Sequence, residues 1–218
     1  MDQIELILAS IVEALDLQHE DHVVDLGCGN GLVSERIAAI TGSVLGIDVS
    51  PRLVEDARRF RATKNLGFAV GDFTDPALLA DWPGAREVGT NWKWYAYEVI
   101  QHLAPEEMHA FLKTVAAKVQ HAEGGPTGSL QLFLGSIPDL ARIHSFYDTP
   151  ERWDLFERNR AAGVEQIGTW WQQKDLQAMT EELGFQCRIM EQDSALYTSH
   201  YRFHALLTIP GRTRHHHA

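Results

Sequence analysis

"VVDLGCGNG", residues 23–31, sets three glycines and an acid directly behind a run of valine. Gly27, Gly29 and Gly31, with Asp25 before them and Cys28 among them, mark a strand that ends in a tight turn where backbone must come close to something. In a doubly wound sheet, ligands collect outside the carboxyl ends of the strands near the topological switch point, and the first strand-to-helix turn supplies the nearest backbone. A tight turn without a ligand would explain a lone pair of glycines equally well, so the neighbouring strands have to decide.

Outward from this loop, short apolar runs alternate with segments of helical period. "HVVDLG", "SVLGIDV", "LGFAVGD", "KWYAYEVI", "SLQLFLGS", "FQCRIMEQ" and "YRFHALLTI" read as strands. Between the first five lie the helical segments "GLVSERIAAI", "SPRLVEDARRFRA", a short "DPALLADW", and "PEEMHAFLKTVAAKV", where Pro105 suits a first helical turn. That alternation predicts right-handed crossovers and a parallel sheet covered on both faces, an α/β doubly wound architecture. After the fifth strand the rhythm breaks over residues 136–172, a stretch rich in arginine and aromatic residues. Long excursions of this kind serve as lids or binding loops. The expected organisation is one domain over residues 1–210, with 136–172 as a cover segment and 211–218 as a native tail or the remnant of a purification tag.

The acids at the next strand ends narrow the ligand. Asp48 closes "LGIDVS", about 20 residues beyond the glycines, where a carboxylate can accept both hydroxyls of a ribose. Asp72 ends "AVGD", and its neighbour Phe73 is placed to lie against a flat base. Three consecutive strand ends therefore offer glycine, acid and acid, which together describe an adenosine site. A pyrophosphate would want G-x-G-x-x-G, whereas this loop is D-x-G-x-G-x-G, and Asp25 ahead of the glycines favours a cationic ligand.

Taken in order, "VVDLGCGNG", "LGIDVSPRLVEDAR", "AVGDFTD" and "YEVIQHL" resemble the class I S-adenosylmethionine-dependent methyltransferases, over roughly residues 20–210. The resemblance implies a Rossmann-like methyltransferase fold of seven strands, mostly parallel, with an antiparallel last strand, "YRFHALLTI", inserted beside the fifth. It implies S-adenosylmethionine as cofactor, held at its methionine end by the glycine loop, at its ribose by Asp48 and at its adenine by Asp72 and Phe73. The sequence departs from the family before the fourth strand, where Trp92 and Lys93 stand in place of a usual "FD".

A sulfonium is a strong electrophile, so the protein's task is to align an acceptor and exclude water; a hydroxyl acceptor also calls for a base. His102, in "YEVIQHL", and His144, in "RIHSFYD", are alternative candidates for that base, against the plain readings of a helix cap and a solvated loop histidine. Tyr97, Glu98, Arg142 and Tyr147 are candidates for contact with the acceptor. Arg142, Arg152 and Arg158 with Trp153, Trp170 and Trp171 would suit an anionic or sugar-like ligand, unless the arginines are merely solvated and the indoles pack into the sheet. The stretch is similar to small methyltransferases of surface-sugar and other secondary pathways. The expected activity is methyl transfer to a small-molecule acceptor, a hydroxyl ahead of an amine. RNA or protein methylation and a non-catalytic cofactor-binding module are the alternatives.

Composition bounds the partners. The 218 residues are 44% hydrophobic and 22% charged, the balance of a soluble globular chain. A formal net charge of −11 has the wrong sign for tracking a phosphate backbone, so no nucleic acid partner is expected. No segment has the apolar length of a membrane span, and "MDQIELILASIVEALDLQ" reads as an amphipathic helix rather than a signal. Two distant cysteines, Cys28 and Cys187, suggest neither a disulfide framework nor a thiolate metal site. A cytoplasmic protein without a metal is expected, and the oligomeric state is open.

Overall fold

The structure is a computed structural model that describes residues 2–80, 92–121 and 129–210. Among these residues β1 (His22–Leu26), β2 (Ser43–Asp48), β3 (Leu66–Val70), β4 (Trp92–Tyr97), β5 (Leu130–Pro138), β6 (Gln186–Glu191) and β7 (Arg202–Ile209) form one sheet, ordered β3-β2-β1-β4-β5-β7-β6. β1 runs parallel to β2 and β4, and the β2–β3 and β4–β5 pairs are also parallel. β7 lies antiparallel to both of its neighbours, β5 and β6. The expected doubly wound sheet with an inserted antiparallel last strand is the one observed. From β1 the chain goes to β2 on one side and later returns to β4 on the other, so the switch point falls between β1 and β4.

The strands buried on both faces are near-continuous apolar runs, as covered parallel strands must be. β4 is buried from Trp92 to Ala96. One face packs α5 (Pro105–His121) and α8 (Gln173–Glu182) through Met108, Phe111, Leu112, Val115 and Leu176. The other packs α1 (Gln3–Leu15), α2 (Leu32–Ala38) and α3 (Pro51–Arg61) through Ile11, Leu15, Ile37, Val54 and Ala57. The helix starts follow from their caps. Ser50 accepts from the Leu53 amide ahead of Pro51, and Glu107 reaches back to the Ala104 amide at 2.7 Å ahead of Pro105.

The unusual start of the fourth strand has a physical reason. Lys93 is buried, and its ammonium donates to the Asp16 carbonyl and to Asp21 Oδ2, each at 2.7 Å. Lys93 thereby ties β4 to the turn that delivers β1. The strand stops at Tyr97, three residues before the end of the expected run, because Glu98 turns the chain with φ 58°.

Residues 136–172 begin inside β5, which continues to Pro138 because β7 still pairs with it there. Beyond it come a 3-10 turn over Leu140–Arg142, the short α6 (Ile143–Phe146) and α7 (Pro150–Ala161). The short helix α4 (Pro76–Ala80) starts the expected "DPALLADW" helix, whose last two residues lie outside the described residues, as does the tail 211–218.

Candidate functional site

The carboxyl ends of β1 to β4 open onto one cleft of about 410 Å³, lined by Gly27, Asp48, Val49, Asp72, Phe73, Thr74, Tyr97, Glu98, Val99, His102, Leu103 and Glu107. Residues picked from four separate stretches of sequence thus meet at one place.

Each strand end is shaped by local chemistry. Gly27 has φ 78°, and a Cβ there would sit 2.4 Å from Val99 Cγ2, so only glycine lets the loop lie against the turn after β4. The Gly27 and Cys28 amides both donate to the Ile47 carbonyl, at 2.7 and 3.0 Å, which fastens the loop to β2. Asp48 completes that fastening. One carboxylate oxygen accepts from the Gly29 amide and the other from the Ser50 amide, each at 2.8 Å. Both oxygens keep further lone pairs for a ligand's hydroxyls. Asp72 is held through Oδ1, which accepts from the Thr74 amide and hydroxyl at 2.8 and 2.7 Å.

Asp25, Cys28, Gly29 and Gly31 do not line the cleft. Asp25 is buried, and its Oδ2 accepts from Ser34 Oγ at 2.5 Å and Tyr95 OH at 2.6 Å. Burial raises its carboxyl to about 6 despite the two donors. The Cys28 thiol is buried and pushed up by desolvation and by the neighbouring acids Asp25 and Asp48, so it stays protonated. Gly31 opens α2, and a Cβ on it would collide with the Phe68 ring at 2.5 Å. Phe73 reaches the cleft while its ring packs edge-on against Phe111, with centroids 5.2 Å apart.

The acceptor candidates divide. Tyr97, Glu98 and His102 line the cleft; His102 closes a 3-10 turn over Ile100–His102. His144 is exposed, with its ring 4.2 Å from that of Trp153 and away from the cleft lining. Arg142 is spent on protein acids, making two bonds to Glu191 at 2.8 and 2.5 Å and an ion pair with Asp139 at 3.3 Å. Tyr147 OH donates to Glu165 at 2.6 Å, and burial and that acid together raise its pKa. Arg152 pairs with Asp148, and Trp171 is buried against the sheet. A second cavity of about 300 Å³, lined by Ile143, Phe156, Arg160, Glu165 and Trp170 among others, lies inside the segment instead. Thr169 stitches the segment to the cleft rim, its amide donating to the Gln101 carbonyl at 2.7 Å and its hydroxyl to the Leu103 carbonyl at 2.8 Å.

Sequence reading missed two features. Val49, 63% exposed, stands at the cleft mouth beside Asp48; an exposed branched residue directly after the strand-end acid was the available signal. The second is a pair of left-handed residues on adjacent strand ends, Glu98 at φ 58° and Ser136 at φ 60°. Ser136 sits in a bulge where the β5–β7 register shifts between Leu134 and Ile137, and its hydroxyl donates to Glu98 Oε1 at 3.1 Å. Such backbone costs on the order of 1 kcal/mol per residue and gathers at working sites. No residue type at either position signals it in advance.

Residues 23–122 match a family whose model is described as a methyltransferase domain. The matched stretch runs from β1 through α5, and over it the chain is similar to a methyltransferase domain. Over 158 residues the chain is 25% identical to a ubiquinone biosynthesis O-methyltransferase from Cupriavidus pinatubonensis, covering 66% of this chain and 60% of that one. Over 67 residues it is 36% identical to an uncharacterized RNA methyltransferase from Streptococcus pneumoniae, covering 31% of this chain but only 14% of the relative. The methyltransferase fold extends through the whole sheet. The crystal structure of magnesium protoporphyrin IX methyltransferase from Synechocystis PCC 6803, with bound S-adenosylhomocysteine, superposes with a TM-score of 0.59 at 18% identity, over 96% of this chain and 82% of that one.

Proposed function

We propose that this chain is an enzyme that binds S-adenosylmethionine in the cleft and methylates a hydroxyl of a small-molecule acceptor. The observation that carries the reading is the convergence of Gly27, Asp48, Asp72 and Phe73 with Tyr97, Glu98 and His102 in one cleft. Asp48 takes the ribose hydroxyls, Asp72 and Phe73 take the adenine with Val49 packing at the mouth, and the Gly27 turn lets the methionine end lie against backbone. Asp25 acts on the loop from beneath, holding Tyr95 of β4 and Ser34 of α2 to the end of β1.

When bound, the cofactor supplies an electrophilic methyl group on a sulfonium. His102 then takes the proton that the acceptor hydroxyl loses, being the one of the two candidate bases that lines the cleft. Tyr97 and Glu98 border the acceptor, and the segment 136–172 covers it within a single domain spanning 1–210. The expected cytoplasmic setting belongs to this reading; in the structure, no helix among the described residues is long and apolar enough to cross a membrane.

Calorimetry with S-adenosylhomocysteine tests the cofactor half. Saturable binding is expected, weakened by about tenfold or more in Asp48→Asn, and no binding by the native chain would end the proposal. A screen of hydroxylated compounds for S-adenosylhomocysteine release tests the acceptor half. Methylation of RNA is the second reading, favoured by the match to the streptococcal relative. Retention of labelled methyl on an RNA pool, with none on small acceptors, would select it.

A further inference from the structure

One corner of the sheet holds three buried hydrogen-bond donors with no acceptor among the described residues: Gln192 Nε2, Arg202 Nε and His204 Nε2. Their residues are 7%, 4% and 1% exposed. The β6–β7 register brings them together. Glu191 pairs with Phe203, which sets Gln192 opposite Arg202, and Arg202 and His204, two apart on one strand, point to the same face.

The groups are fixed in orientation by bonds to their other atoms. Ser136, at the bulge, donates its amide to His204 Nδ1 at 3.0 Å, so the imidazole proton sits on Nε2. The Ser136 carbonyl accepts from Arg202 Nη1 at 2.7 Å, and Gln101 Oε1 accepts from the same nitrogen at 2.5 Å. Thr198 Oγ1 donates to Gln192 Oε1 at 2.8 Å, which leaves the amide nitrogen as the free end.

Arg202 is the decisive member. Its Nη1 is doubly bonded to neutral oxygens, while Nε is buried without a partner and Nη2, the other half of the fork that fits a carboxylate, makes no hydrogen bond among the described residues. Among the described residues no ion pair includes Arg202, although the Tyr201 ring lies 5.1 Å from its guanidinium carbon. A buried cation without a counter-charge is costly, and folding alone gains nothing from leaving it so. The corner adjoins the cleft: Gln101 precedes His102, Ser136 bonds Glu98, and the His204 ring is 6.0 Å from that of Tyr97.

We propose that the Nε and Nη2 edge of Arg202, with Gln192 and His204, binds a carboxylate of the methyl acceptor. The acceptor is then a hydroxy acid, a class that deepens the reading of the cleft and rests on it. Two oxygens with four lone-pair sites match the donors that the corner leaves free.

The probe is formate, titrated into the full chain with and without S-adenosylhomocysteine while the His204 Cε1–H resonance is followed by NMR, with inorganic phosphate in a parallel arm. A saturable formate shift is expected, weakened by about tenfold or more in Arg202→Lys, which keeps the charge and loses the fork. Gln192→Leu, which removes one donor while keeping the bulk, should weaken formate as well and serves if the arginine variant does not fold. In the acceptor screen, hydroxy acids should outpace their methyl esters with the native chain and lose that lead in Arg202→Lys. No formate response, a response to phosphate alone, a response unchanged in both variants, or equal rates for acid and ester would each overturn the proposal. Absent S-adenosylhomocysteine binding with an intact formate response would instead overturn the cleft reading alone.

Discussion

Asp25 is buried beneath the glycine loop, outside the cleft lining, and its cost to the fold can be measured. Burial raises its carboxyl from 3.8 to about 6. The folded chain therefore holds this proton more tightly than the unfolded chain, and the stability linked to it is fully present below about pH 4 and lost as pH rises through about 6. The loss amounts to on the order of 3 kcal/mol. Denaturant unfolding of the native chain and of Asp25→Asn across that range checks it: the native-minus-variant difference should fall as pH rises, and a flat difference would contradict the assignment. His102 is tested through turnover instead. His102→Gln should leave S-adenosylhomocysteine affinity intact and lower turnover on the order of a hundredfold, read in single-turnover assays once an acceptor is found. At this scale Asp48 and Asp72 were legible because strand ends and glycines are local signals. Arg202 and His204 were not, since each lies inside an apolar strand and gains its meaning from Ser136, far away in the chain.

The strap formed by residues 165–169 couples the cover segment to the cleft. Glu165 accepts from Tyr147 OH and from the Ile167 and Gly168 amides, and Gly168 sits at φ 87° where a Cβ would lie 2.2 Å from the Gln101 carbonyl oxygen. Gly168→Ala must push the strap away from Gln101, breaking the Thr169 bonds. We expect a loss of about 1–3 kcal/mol and faster amide exchange at residues 167–171, with cofactor affinity unchanged; unaltered exchange there would show the strap to be unimportant. Elements with strong period and clear caps, such as α3 and α5, were readable to within a residue or two. The arginines of the cover segment were read as suiting an anionic ligand or as merely solvated, yet Arg142 finds Glu191 on β6, a partner that only the completed sheet supplies.

For the molecule as a whole, the sheet order and the place of the cleft followed from the alternation of strands and helices, because right-handed crossovers leave few arrangements open. What no local pattern encodes is which side chains face each other across the sheet, and that decides the corner proposed for the acceptor's carboxylate. Because the cleft joins four strand ends, a ligand there should stabilise the global fold by mass action. At a hundredfold excess over its dissociation constant, S-adenosylhomocysteine should add about 2.7 kcal/mol, seen as a rise in Tm that Asp48→Asn reduces. An unchanged Tm would contradict a ligand site shared by these strands.

The insertion of β7 between β5 and β6 has a consequence for biosynthesis. β6 leaves the ribosome before β7 and has no other strand to pair with among the described residues, and the outer edge of β5 stays open for the same interval. The half of the cleft proposed to hold adenosine, built from β1 to β3, precedes them in the chain. On the proposed reading, synthesis delivers the cofactor's half first, and the acceptor's half only when the final strand slides into its slot.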